Sequence, residues 1–186
     1  MTKSNLVDGH DARVTHDEPE MLRLTRLLPG TIERVWAYLT QSDLRATWLG
    51  AGAMELRPGA TVELAIDNTK LTPTPDNVPP NPATQGGSTT LVWRVVASEA
   101  PHLLVVDWGT DADASRIRLE LAAEGAGTRL TIEHRRVASR GMLLGVSAGW
   151  HTHTDILRDR LAGHESAAFW PRFAKLETLY AGRLPG

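Results

Sequence analysis

Three stretches of this 186-residue chain hold residue types that could do chemistry. His151, His153 and Asp155 form an HxHxD run, which has the composition of a metal site. On a strand the two imidazoles would share a face and could chelate. In a helix they stand about 200° apart and cannot bind one ion. His151 and Asp155, at i and i+4, then read as a surface pair. Gly145, Ser147 and Gly149 fit the G-x-S-x-G pattern of a nucleophile elbow. That turn needs a preceding strand, a parallel sheet, and Asp and His on later loops, none of which the pattern here supplies. Ser147 therefore reads as the N-cap of a helix, or close to it. The third candidate is His134, an imidazole near the end of an apolar strand pattern.

Weaker signals fall away on physical grounds. Gly50, Ala51 and Gly52 lack the third glycine and the βαβ context of a dinucleotide site. His10, Asp11, His16 and Asp17 lie in a polar stretch, residues 1–19, that reads as a flexible tail unable to hold ligands in place. Arg135, Arg136 and Arg140 read as a solvated rim.

The elements that must position His134 and His153 follow from periodicity. Leu22–Leu28 alternates as a strand, and Thr31 caps a helix whose Ile32, Val35, Trp36 and Leu39 share a face. A second short helix starts at Ser42 and Asp43. Strands are expected at Ala53–Leu56 and Thr61–Ile66. Five prolines and Gly86-Gly87 make residues 67–88 a long loop. Four strands follow. In the first hairpin, pairing Ala97 with His102 sets Val95 opposite Leu104, Trp93 opposite Val106 and Leu91 opposite Trp108. In the second, pairing Ala123 with Thr128 sets Leu121 opposite Leu130, Leu119 opposite Ile132 and Ile117 opposite His134. Each hairpin then has one apolar and one charged side, as a one-layer antiparallel sheet requires. A helix over Ala148–Leu161 places Trp150, Thr154, Leu157 and Leu161 on one stripe, flanked by Val146 and His153. A last helix, Ala167–Tyr180, accommodates Pro171 in its first turn.

Composition bounds the functional classes. There is no cysteine, so disulfides, thiol nucleophiles and thiolate metal sites are excluded. A net charge of -2 gives no reason to expect nucleic acid or an anionic membrane as partner. The opening residues carry no apolar signal segment and no window approaches a membrane span, so a cytoplasmic setting is expected. Arginine far outnumbers lysine, as in GC-rich bacterial genomes.

The stretches PGTIERVWAYLT, LRATWLG, RPGATVEL, VVASEAPHLLVVDWG, LELAAEGAGTRLTIEH and AGWHTHTDIL resemble the family related to the activator of the heat-shock protein 90 ATPase. That family lies in the START/Bet v 1-like (SRPBCC) superfamily, and the resemblance runs from about Leu22 to Gly163. It implies an α+β helix-grip fold, a curved antiparallel sheet wrapped around a long C-terminal helix, in a single domain over residues 20–184. Superfamily members include lipid carriers, aromatase/cyclases and oxygenase domains. The fold does not choose among them.

Together these readings predict a cavity between sheet and helix that reversibly binds a small, largely apolar molecule, without metal or cofactor. Its walls would be Trp93, Val106, Trp108, Leu119, Ile132, Trp150 and Leu157; its polar end would be His134, His153 and Thr154. His134 faces the apolar side, where an unpaired imidazole would cost about 1–3 kcal/mol, so it must find a partner. Two alternatives stand beside the binder: a chaperone-regulating, stress-response interaction module, and an aromatase/cyclase-like enzyme using His134 or His153 as acid/base.

Overall fold

The computed structural model describes residues 12–18, 20–73 and 88–184. Among these, β1 (Arg13–Thr15), β2 (Met21–Pro29), β3 (Thr61–Asp67), β4 (Ser88–Glu99), β5 (Leu103–Trp108), β6 (Ser115–Glu124) and β7 (Gly127–Arg135) form one antiparallel sheet, ordered β1-β2-β7-β6-β5-β4-β3. Helices α1 (Ile32–Thr40) and α2 (Ser42–Ala46) follow β2, and α3 (Arg140–Ala162) and α4 (Phe169–Ala181) follow β7. This is the helix-grip arrangement expected from the sequence.

The β6–β7 hairpin has the expected register throughout, with Leu119 opposite Ile132, Ile117 opposite His134, and Arg118 opposite Glu133 on the outer face. The β4–β5 hairpin does not. Trp93 pairs with Trp108 and Val95 with Val106, and a bulge between Val95 and Ala97 shifts the pairing so that Ala97 meets Val105. Ser98 and Glu99 continue the strand instead of forming the loop, and the chain turns tightly, His102 N donating to Glu99 O at 2.7 Å. The bulge inserts one residue and so lets Trp93, Val95, Leu104 and Val106 all stay buried despite the different register.

Three further expectations change. Arg13–Thr15, read as tail, pairs with Arg23–Thr25, and Ala12 beside it is buried. His16 reaches Ser147 Oγ at 2.9 Å. Residues 1–11 and 19 of that stretch lie outside the described residues. Ala53–Leu56 is not a strand: only a bridge from Ala51 to Ala65 joins this segment to β3. The buried Arg45 guanidinium holds it instead, donating to the carbonyls of Thr40 (2.9 Å), Gly50 (3.2 Å) and Gly52. Gly52, at φ 151°, lies so close to β3 that a Cβ would come within 2.4 Å of the Glu63 carbonyl. In the 67–88 segment, Asp67 and Ser88 belong to strands and Asn68–Lys70 forms a 3-10 turn. Residues 74–87 lie outside the described residues.

Helix α3 is one continuous helix, capped by Ser139 Oγ, which accepts from Met142 N at 3.1 Å, and ended by Gly163 in the left-handed conformation. Ser147 is therefore not a cap. It lies inside the helix, its hydroxyl donating to the Leu143 carbonyl at 2.6 Å. Nor do His151 and Asp155 form a surface pair: both are fully buried, because this side of α3 is enclosed between β2 and α4. His151 Nδ1 lies 2.7 Å from the Tyr180 hydroxyl of α4. Asp155 ion-pairs with Arg26 of β2 and, at 3.4 Å, with Arg172 of α4. Arg26 occupies the inward face of β2 with Leu22, Leu24 and Leu28, and all four are fully buried.

Removing one partner of a buried ion pair leaves the other charge uncompensated. Asp155→Ala is therefore expected to lower the unfolding free energy by about 3–5 kcal/mol in urea denaturation. The double substitution Arg26→Met with Asp155→Leu is expected to lose less than Asp155→Ala alone.

Candidate ligand cavity

Between β3–β5, α3 and α4 lies a cavity of about 440 Å³, open to solvent on one side. Its buried end is aromatic, with Trp93 from β4, Trp150 from α3, and Phe169 and Trp170 from α4. Trp108, Leu91 and Phe173, partly buried, extend these walls. Asn68, Thr89, Gly141 and Glu177, more exposed and mostly polar, mark the open side. A larger groove, about 560 Å³, runs along β1 and β2. Its lining is strongly charged, with Arg129 paired to Glu124 across it. The inner cavity is apolar and concave and lies between sheet and helices.

Of the ten residues expected at the site, Trp93, Trp108, Trp150 and His153 line this cavity. Val106, Leu119, Ile132 and Leu157 are fully or almost fully buried in the core and do not reach it. His134 and Thr154 are also set back from it. The Thr154 hydroxyl donates to the carbonyl of Trp150 at 2.8 Å, within its own helix.

His134 finds two partners. The Trp150 Nε1–H donates to its Nδ1 at 3.2 Å, and its Nε2 lies 2.9 Å from Ser115 Oγ. With Nδ1 accepting, the neutral ring carries its proton on Nε2 and donates it to Ser115. Its face stacks on Trp108 at 5.4 Å between centroids. His134 thus clamps two cavity-wall tryptophans in place, and both its nitrogens are engaged.

His153 is placed differently. Its Nδ1 lies 2.7 Å from the Trp48 carbonyl, which can only accept, so Nδ1 carries the proton. Its ring sits 5.0 Å from that of Phe169 on the cavity wall. Desolvation by burial lowers the pKa of both His134 and His153 to about 4.

The sequence reading missed the floor of the cavity. Gly141, Gly145 and Gly149 recur every fourth residue along α3 and all three line the cavity. Among the described residues, a Cβ added at Gly141 or Gly145 would meet nothing within 4 Å, and at Gly149 it would only touch Phe173 at 4.0 Å. Gly145 and Gly149 stand in the sequence as one G-x-S-x-G motif, and Gly141, one turn earlier, extends that spacing along the same helical face. The α4 wall was also missed: the helix expected at Ala167–Tyr180 had no partner surface assigned to it.

These elements and the cavity they enclose define a helix-grip domain of the START/Bet v 1-like class. The chain belongs to the family described as activator of Hsp90 ATPase homolog 1-like protein, which it matches over residues 29–162. The matched segment ends with α3, so α4, which supplies one cavity wall, lies beyond it. No curated protein matches the chain. Among solved structures, it is similar to the protein encoded by gene BPP1335 of Bordetella parapertussis, at 34% identity and TM-score 0.77, over 100% of this chain and 97% of that one. CalU16 from Micromonospora echinospora shares the fold at 20% identity and TM-score 0.64, over 97% and 94% of the two chains. A conserved protein of unknown function from Enterococcus faecalis, EF2215, does so at 16% identity and TM-score 0.63, over 93% and 90%. None of the helices is long and apolar enough to cross a membrane, among the described residues.

The depressed pKa values of His134 and His153 predict a pH dependence. Their ordinary pKa is 6.5 and their folded value about 4, so between these limits the unfolded chain binds protons that the folded chain does not. Unfolding free energy is expected to fall as pH drops from about 6.5 to about 4, by about 1.4 kcal/mol per pH unit for each histidine. Urea titrations across that range check this, and His134→Gln is expected to show a shallower slope.

Proposed function

We propose that this protein reversibly binds a small, largely apolar molecule in the cavity between β3–β5, α3 and α4. The glycine face of α3 carries the reading. A glycine inside a helix is less stable than alanine by about 0.5–1 kcal/mol. A helical glycine is commonly explained by something packed against its backbone, yet at Gly141 and Gly145 an added Cβ would meet nothing within 4 Å among the described residues. What a side chain there would fill is the cavity. The aromatic walls supply apolar contact area, and His134 is spent on holding them in position. The volume, about 440 Å³, falls in the range of small-molecule sites.

The family name raises a second reading, a module that acts on a chaperone through its surface. The cavity favours the binder, and the two separate experimentally. The binder predicts calorimetric uptake of toluene by the purified chain. Gly145→Phe, which places a ring in the open volume, is expected to weaken toluene binding by roughly tenfold or more, about 1.4 kcal/mol. Gly145→Ala is expected to raise folding stability by about 0.5–1 kcal/mol. Equal toluene binding by Gly145→Phe and the parent chain would sink the proposal. A change in a chaperone's ATP hydrolysis that survives Gly145→Phe would favour the surface module.

A further inference from the structure

His153 offers a cavity guest one specific hydrogen bond. The residue is more than nine-tenths buried, and its Nδ1–H is committed to the Trp48 carbonyl. A neutral imidazole has one N–H, so Nε2 presents a lone pair. No described residue donates to it. A largely buried acceptor beside aromatic walls gains from a guest that brings its own donor.

The rest of the lining defines the charge of that guest. Among the described lining residues there is no lysine or arginine, and the one ionisable side chain other than His153 is the Glu177 carboxylate at the rim. An anion entering this site would lose its hydration, gain no cation, and meet a lone pair at one end and a carboxylate at the other. The shape adds a third condition. One wall is formed by Trp93, Trp108 and Trp150 and the other by α4, where the Phe169 and Phe173 rings lie nearly parallel, 15° apart. Between them α3 presents Gly141, Gly145 and Gly149 beside Val146. Trp170 stands at 79° to Phe169 and 71° to Phe173, so the walls offer both ring faces and ring edges, which suits an aromatic guest.

Resting on the binding role proposed above, we infer that the cavity selects a neutral aromatic molecule bearing a hydroxyl, which donates to His153 Nε2, and rejects carboxylates of the same size.

The test compares three probes on the full chain near neutral pH: 2-naphthol, its methyl ether 2-methoxynaphthalene, and 2-naphthoate. The ether keeps the rings and oxygen but has no donor; the naphthoate adds the charge. By calorimetry 2-naphthol is expected to bind roughly tenfold more tightly than the ether, and 2-naphthoate more weakly than both. In His153→Asn an amide N–H can still reach the Trp48 carbonyl, but no acceptor remains at the depth of Nε2. The preference for naphthol over ether is expected to shrink to about one there. A measurement without any substitution is the ring ¹⁵N spectrum of the parent chain. The Nε2 resonance is expected to move upfield on adding 2-naphthol and to stay in place with the ether.

Binding of 2-naphthoate as tight as 2-naphthol, or an unmoved Nε2 resonance at saturating naphthol, overturns the inference. Toluene uptake would in that case still stand for the binding role. Failure of the chain to take up toluene and all three probes would overturn both.

Discussion

The buried pair of Arg26 and Asp155 is the constraint on which the rest of the packing depends. Each charge, taken from water alone, would cost several kcal/mol, and each is tolerable because the other lies against it. The guanidinium stands on the inward face of β2 and the carboxylate on α3, so the pair fixes the rotation of that helix against the sheet. Once Asp155 faces β2 and Arg172, helical geometry assigns the remaining sectors. Trp150 and Leu157 go toward the sheet, and Gly145 and Gly149 toward the open space under α4. A helix free to rotate would lose the register between Trp150 and His134, and with it the shape of the aromatic wall.

The fold was readable where polar and apolar residues contrast sharply at the period of the element. In β6 and β7 the outward positions are mostly charged, Arg116, Arg118, Glu120, Arg129, Glu133 and Arg135 among them, and the inward ones mostly apolar, with Ser115, Thr128 and His134 as the polar exceptions. A slip of one residue would bury a row of charges, and the pairing came out as read. In β4 and β5 the signal was poorer. Ser98 and Glu99 look like loop residues beside Ala100-Pro101, and the extra residue at the bulge leaves no mark in the alternation. Arg26 broke the alternation of β2 openly, and its partner Asp155 sat in the HxHxD run. A pairwise contact between residues 129 positions apart has no local signature, however, and so Asp155 was matched with its helical neighbour His151.

The candidate site was half legible for a related reason. Trp93, Trp108, Trp150 and His153 could be placed by assuming that large aromatic and polar residues on the facing surfaces of sheet and helix meet. The same assumption swept in Val106, Leu119, Ile132 and Leu157, which sit deeper, where sheet and helix touch and leave no space. A cavity is bounded as much by what is missing as by what is present. Three glycines of α3 lie along its floor beside Val146, and its far wall comes from α4, whose position no pattern in α3 announces.

The aromatic residues of the cavity also make the molecule its own reporter. Trp93, Trp108, Trp150 and Trp170 line it, leaving Trp36 and Trp48 as the two tryptophans outside it, and the backbone carbonyl of Trp48 holds His153. Indole emission responds to the polarity and the quenchers in its immediate surroundings. The intrinsic ultraviolet fluorescence of this protein therefore comes mainly from one place, and it reads the occupancy of that place without any added label.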